Sequence, residues 1–223
     1  MIDVKHLNKS YPIDGQLFKA VDDISFTIQR GEFLSILGHS GSGKTTLLNL
    51  IGGLTKPNSG TVLIDGQDIW KLSDSELSCL RNEKMNFIFQ FASLIPTLTV
   101  VDNVLLPATF GKTRKADLYD SAVELLELVG LGSKLQAYPS QLSGGQQRRV
   151  AISRAFINDP AIVLADEPTG DLDEETEQEV INLFRSFNEK KKTTFLIVTH
   201  SSDLAAKTDR RFRMTSGRLE TLS

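Results

Sequence analysis

The stretch Gly38–Thr46, "GHSGSGKTT", constrains the possible fold more than any other part of this 223-residue sequence. Its first eight residues match G-x-x-x-x-G-K-[ST] in full. Such a loop works where a strand runs into it and a helix leaves it. The glycines let backbone N–H groups converge on phosphate oxygens, and the helix adds its positive end. The flanks comply: "FLSIL" (Phe33–Leu37) precedes the loop and "TTLLNLIGGL" follows it, which reads as strand, loop and helix in order. Lys44 can reach terminal phosphates and the Thr45 hydroxyl can ligate Mg²⁺, with Gly38, His39, Ser40, Gly41, Ser42, Gly43 and Thr46 as the remaining candidate phosphate contacts. The pattern points to a nucleotide, but alone it does not separate a kinase, a GTPase and an ATPase.

Two further short apolar runs, Ile162–Ala165 and Phe195–Val198, suit strands covered on both faces, as in a parallel sheet flanked by helices. "TVLIDGQDI" places Asp65-Gly66 between β-prone segments, a strong hairpin signal. With Ile2–Leu7 and Ile24–Ile28 it predicts a small antiparallel sheet early in the chain. Leu118, Ala122, Leu125, Leu126 and Val129 recur at helical spacing, and Gly130 sits where a C-terminal cap belongs. The expectation is one α/β domain over 1–223, with a parallel-sheet core, an antiparallel β subdomain before it and a helical subdomain inserted at roughly 91–155.

"AIVLADEP" puts Asp166 and Glu167 at the end of a buried run, where carboxylates are costly unless they meet a cation or a proton donor. After a phosphate loop, the first would hold Mg²⁺ and the second could polarise an attacking water, which favours hydrolysis over transfer to an acceptor. Two acids capping the helix that "DLDEETEQEV" begins is the plainer alternative.

Composition narrows the partners. A net charge of −3 gives no global attraction to nucleic acid or anionic lipid. The longest apolar runs fall far below the roughly 18 residues that span a bilayer. The single cysteine, Cys79, excludes an internal disulfide and agrees with a reducing, cytoplasmic setting.

In ordered sequence, the motifs resemble the ATP-binding cassette (ABC) ATPases over nearly the whole chain. "GHSGSGKTT" resembles their Walker A, Gln90 in "FIFQF" their Q-loop, "LSGGQ" their signature, "IVLADE" their Walker B, "GDLD" their D-loop and "VTH" their switch histidine. The resemblance implies a P-loop NTPase (RecA-like) fold, ATP and Mg²⁺ as cofactors, and hydrolysis of ATP. It implies that Glu167 is the general base, that His200 contacts the γ-phosphate, and that Gln90 touches Mg²⁺ and the attacking water. It assigns Mg²⁺ to Thr45, Gln90 and Asp166, and adenine stacking to Tyr11, whose alternative is an aromatic closing one edge of the β region. Ser143, Gly144, Gly145 and Gln146 would complete the site of a second copy in a head-to-tail dimer, and Asp173 would cross to that partner.

"LLNLIGGLTKPNSGTVLIDG", "LRNEKMNFIFQFASLIPTLTVVDNVLLP" and "LADEPTGDLD" resemble a subgroup containing lipoprotein-releasing, macrolide-exporting and cell-division ATPases. These sit on the cytoplasmic face of the membrane and drive permease subunits. The stretch Phe91–Phe110 is the expected seat of a permease coupling helix, with plain packing of the helical region as the alternative. A soluble ABC protein acting on nucleic acid is disfavoured, because no long coiled coil separates the Walker A and signature motifs and only one cassette is present. Arg148, Asp171 and Ser201 depart from residues common in relatives, which usually carry glutamine at the first.

Overall fold

The computed structural model describes residues 1–13, 15–111, 115–170 and 172–222; Asp171 lies outside them. In chain order the elements are β1 (Ile2–Ile13), β2 (Gln16–Ile28), β3 (Phe33–Leu37), α1 (Lys44–Ile51), β4 (Ser59–Ile64), β5 (Gln67–Asp68), α2 (Asp74–Lys84) and β6 (Met85–Ile88). There follow α3 (Val100–Leu105), α4 (Tyr119–Leu128), α5 (Gly144–Phe156), β7 (Ile162–Asp166), α6 (Glu174–Lys191), β8 (Thr194–Thr199), α7 (Ser202–Ala206), β9 (Arg210–Thr215) and β10 (Arg218–Leu222).

The three apolar runs form β3, β7 and β8, the centre of a six-stranded sheet ordered β10-β9-β3-β8-β7-β6. Pairings β3–β8, β8–β7, β7–β6 and β3–β9 are parallel, and only the edge strand β10 runs antiparallel. Because β8 lies between β3 and β7, the phosphate loop, the acidic pair and His200 all emerge at the same carboxyl edge of adjacent strands. Open parallel sheets place their ligands at that edge.

The second sheet is antiparallel, ordered β2-β1-β4-β5. Its first hairpin runs further than the sequence suggests, with β1 and β2 paired from Ile2↔Ile28 to Ile13↔Gln16 across several bulges. Its distal end carries Tyr11, Ile13, Leu17 and Phe18 exposed to solvent, so the alternation of buried and exposed positions ends before the pairing does. Asp65 and Gly66 turn the β4–β5 hairpin, both at positive φ (50° and 83°), the conformation a two-residue primed turn requires.

One apolar core fills the space between the sheets around α1, and a second lies behind the central sheet under α5, α6 and α7. There Phe33, Phe156, Phe184 and Phe195 meet edge-on or tilted, and Phe156 stacks on Phe187 at 3.9 Å. A third core, including Val100, Val104, Leu126 and Val150, joins α3, α4 and α5. Ala122 and Leu126 of α4 are fully buried, and Gly130 at φ 71° follows the helix end. The 91–155 stretch opens with irregular chain up to Thr99, so its helices begin later than expected. Sequence reasoning missed α2, although Ser73 and Glu76 form a full capping box at its start.

Candidate nucleotide site

The phosphate loop leaves β3 with the Gly38 N–H donating to the Thr199 carbonyl at 3.2 Å, which ties it to β8. At Gly43 the backbone takes φ 105°, and a Cβ there would stand 2.0 Å from the Ala20 carbonyl oxygen. Only glycine permits this approach of the loop to β2. Lys44 opens α1 and is almost wholly buried. Its ammonium donates to the carbonyls of Gly38 at 2.7 Å and His39 at 3.2 Å, and lies 3.6 Å from Glu167 Oε1. The Ser42 hydroxyl, also buried, has no partner among the described residues.

Asp166 ends β7, where burial pushes its carboxyl above the ordinary carboxylate value; the neighbouring Glu167 charge pushes the same way, while a hydrogen bond from Thr45 and the Lys44 charge oppose it. A carboxylate so placed, next to a hydroxyl and open to the cavity, suits a cation shared with a phosphate. Glu167 adopts left-handed backbone (φ 45°), with its N–H donating to the Val198 carbonyl at 2.9 Å. A non-glycine residue there costs about 1–3 kcal/mol. The turn aims the side chain back at the loop, where Oε2 accepts from the His200 N–H at 3.1 Å and lies 2.9 Å from His200 Nδ1.

These groups face one cavity of about 690 Å³, lined by Tyr11, Phe18, His39–Thr46, Gln90, Asp166, Glu167 and His200. It unites the expected Walker A residues from His39 onward with the Walker B, Q-loop, switch and adenine-stacking residues, while Gly38 lies just outside its lining. Phe18 went unnoticed in the sequence. It pairs opposite Tyr11 across the β1–β2 hairpin, so the two rings share a face; the strand register, once drawn, would have revealed it.

Ser143–Gln146 lie elsewhere. Ser143 caps α5 in a reciprocal box: its hydroxyl accepts from the Gln146 N–H at 3.2 Å, and Gln146 Oε1 accepts from the Ser143 N–H at 3.0 Å. A Cβ on Gly144 would meet nothing within 4 Å, and one on Gly145 only a Leu172 methyl at 3.8 Å. Packing within this chain therefore does not demand either glycine. Asp173 is also outside the cavity. It caps α6 through Thr176, whose backbone hydrogen bond is the main cause holding the Asp173 carboxyl below its ordinary value.

Beside the Gln90 segment lies a second cavity of about 1140 Å³, lined among others by Leu54, Cys79, Phe87, Phe89, Leu106 and Phe110. Phe110 and Leu54 present much of their apolar surface to solvent.

Residues 21–170 match the sequence model of a family described as ABC transporter. The chain is 44% identical over 224 residues to the "Lipoprotein-releasing system ATP-binding protein LolD" of Shewanella frigidimarina (strain NCIMB 400), covering 100% of the chain and 93% of that relative. It is 42% identical over 219 residues to the protein of the same name from Bordetella pertussis, covering 98% and 95%. Among solved structures it is similar to the cassette MJ0796, described as a dimeric post-hydrolysis state bound to ADP and Pi, with 40% identity, a TM-score of 0.92, and coverage of 100% of this chain and 99% of that one.

Proposed function

The chain belongs to the ABC transporter family, and on that premise we propose that it is the ATP-hydrolysing subunit of a lipoprotein-releasing system, working as a head-to-tail homodimer under a membrane permease. The family and its relatives make it an ATP-binding ATPase. The observation that carries the finer reading is the division of the motifs. Lys44, Asp166, Glu167 and His200 converge on one cavity, while Ser143, Gly144 and Gly145 stand apart on open surface with no packing reason to be small.

In this reading each residue has a role that the geometry supports. The loop from Gly38 to Thr46 cradles the phosphates, and Tyr11 stacks on the base with Phe18 beside it. Lys44 exchanges its contact with Glu167 for the terminal phosphates. Glu167 accepts a proton from the attacking water, and His200 holds that carboxylate in place. Mg²⁺, which would neutralise phosphate charge, fits the donor set of Thr45, Asp166 and Gln90. Ser143–Gln146 offer a hydroxyl, backbone N–H groups and the positive end of α5 to the γ-phosphate held by a second copy, and Asp173 borders the same interface. Loss of the γ-phosphate removes the bridge between copies.

The second cavity, next to Gln90, is the proposed seat of a permease coupling helix, consistent with its exposed aromatics. The 1–223 chain is read as one domain in which α3, α4 and α5 form the inserted helical part. No described helix is long and apolar enough to cross a membrane, which agrees with peripheral attachment at the cytoplasmic face. Among the alternatives, the relatives named for lipoprotein release match over nearly their full length, which favours release over cell-division or nucleic-acid roles. The test is co-purification of permease subunits with the tagged chain from its host, followed by ATP-driven lipoprotein release from vesicles carrying the complex. A complex that hydrolyses ATP without releasing lipoprotein would refute this substrate.

A further inference from the structure

Arg148 stands in the second turn of α5, five residues beyond Ser143, and is only 6% exposed. One guanidinium nitrogen donates to the Phe89 carbonyl at 2.6 Å and another to the Gly170 carbonyl at 3.2 Å. Phe89 immediately precedes Gln90. Gly170 closes the turn that Glu167 begins, its N–H donating to the Glu167 carbonyl at 3.1 Å. Three separate segments therefore meet at one side chain: the helix headed by Ser143–Gln146, the chain leading into Gln90, and the turn behind Glu167. Further along α5, Arg154 donates to the Ala92 and Ser93 carbonyls at 2.8 and 2.9 Å, so the same helix grips both ends of the 89–93 segment.

A buried guanidinium is an expensive packing unit, and an apolar side chain of similar volume fills a core at lower cost. What a planar fork offers is fixed angular relation between two acceptors, which neither lysine nor a shorter amide reproduces. Both acceptors among the described residues are loop carbonyls beside groups of the nucleotide site, which is where such rigidity has an effect.

We propose that Arg148 is a positioning residue that locks the Gln90 segment and the Glu167 turn in register with the signature at the head of its own helix, so that the chain closes on a second copy as one unit. This rests on the reading that Ser143–Gln146 complete the partner's site. Without the fork, each chain still binds ATP in its own loop, but the signature no longer keeps a fixed place relative to Gln90 and Glu167.

The test uses the full-length chain carrying Glu167→Gln, which retains ATP, with and without Arg148→Met, Arg148→Gln or Arg148→Lys. ATP affinity is measured at protein concentrations where the chain is monomeric, and ATP-driven dimerisation by light scattering. Arg148→Met is expected to leave monomer affinity within about threefold and to weaken dimerisation on the order of tenfold or more, the usual size of a coupling between sites. Arg148→Lys, which can serve one carbonyl at a time, should fall between Met and wild type. If the Met variant fails to fold, the Gln and Lys variants carry the same comparison. Unchanged dimerisation in the variants overturns the proposal, and so does a loss of dimerisation matched by an equal loss of monomer ATP binding. If Glu167→Gln with Arg148 intact stays monomeric in ATP, the shared-site reading itself falls, and this proposal with it.

Discussion

Replacing Glu167 by Gln separates the two roles proposed for its carboxylate, general base and partner of Lys44. Glu167 faces Lys44 at 3.6 Å, with both side chains about nine-tenths buried. At an effective dielectric of about 20, that separation corresponds to roughly 4–5 kcal/mol of gross attraction. Desolvation of the two charges offsets most of it. A net residue of about 1 kcal/mol is what incoming phosphates must displace to capture Lys44, equivalent to about fivefold in affinity. The Gln amide keeps the shape and still accepts from the His200 N–H, but it can neither attract Lys44 nor take a proton from water. ATP should therefore bind the variant equally or up to about fivefold more tightly. Hydrolysis should slow by about 10²–10⁴-fold, a barrier increase of about 2.7–5.5 kcal/mol. Single-turnover phosphate release with enzyme in excess reads the second quantity, and calorimetric titration of Mg-ATP reads the first. Hydrolysis at the wild-type rate would remove Glu167 as the base. Tenfold weaker binding would show that Lys44 and Glu167 do not compete as described.

Other consequences follow from individual residues. Gly43→Ala would place a Cβ against the Ala20 carbonyl at φ 105°; strain of about 2–3 kcal/mol should lower Tm by roughly 4–12 °C for a chain of this size, with loss of ATP binding, read by thermal scans with and without nucleotide. Asp65 takes the N-terminal ammonium at 3.0 Å, Arg30 at 2.9 Å and Lys84 at 2.9 Å, and these partners, Lys84 foremost, hold its carboxyl far below the ordinary value. The ionised form therefore contributes stability that is complete above the ordinary carboxylate range and is lost as pH falls through it and below. Asp65→Asn keeps the left-handed turn, so its Tm deficit should be present at pH 7 and shrink steadily as the pH is lowered below 4; a deficit independent of pH would contradict the ion-pair account. Asp166 has the opposite sign: burial raises its pKa, so its ionisation costs stability, growing as pH rises from the ordinary carboxylate value. Asp166→Asn should raise Tm at pH 7 without nucleotide while abolishing Mg²⁺-dependent hydrolysis, and a lowered Tm would refute the burial argument.

The parallel core was legible because its strands are short, apolar and bounded by loop signals, and because the phosphate loop orders the first of them. The positions of Asp166, Glu167 and His200 followed once their strands were adjacent in space. The β1–β2 hairpin extended beyond its buried half because backbone pairing, with bulges, continues where the alternation of buried and exposed positions has stopped. Phe18 was hidden for the same reason: its partnership with Tyr11 depends on register, and no local pattern announces it. Arg148 was the least legible, since the two acceptors it meets among the described residues lie 59 and 22 residues away and are backbone carbonyls that any residue could carry. Ser201 is accounted for locally: its hydroxyl caps α7 and also donates to Glu177, which takes Thr169 as well.

The central claim is that a nucleotide site of this protein is divided between two copies. Ser143 is exposed and its neighbour Gly144 is surrounded by open space, so Ser143→Arg should cost little beyond an N-cap, about 1 kcal/mol. In a Glu167→Gln chain, light scattering should show monomer becoming dimer on addition of ATP, and Ser143→Arg should abolish that dimer while monomer ATP affinity stays unchanged. Persistence of the dimer, or loss of ATP binding by the monomer, would contradict the account.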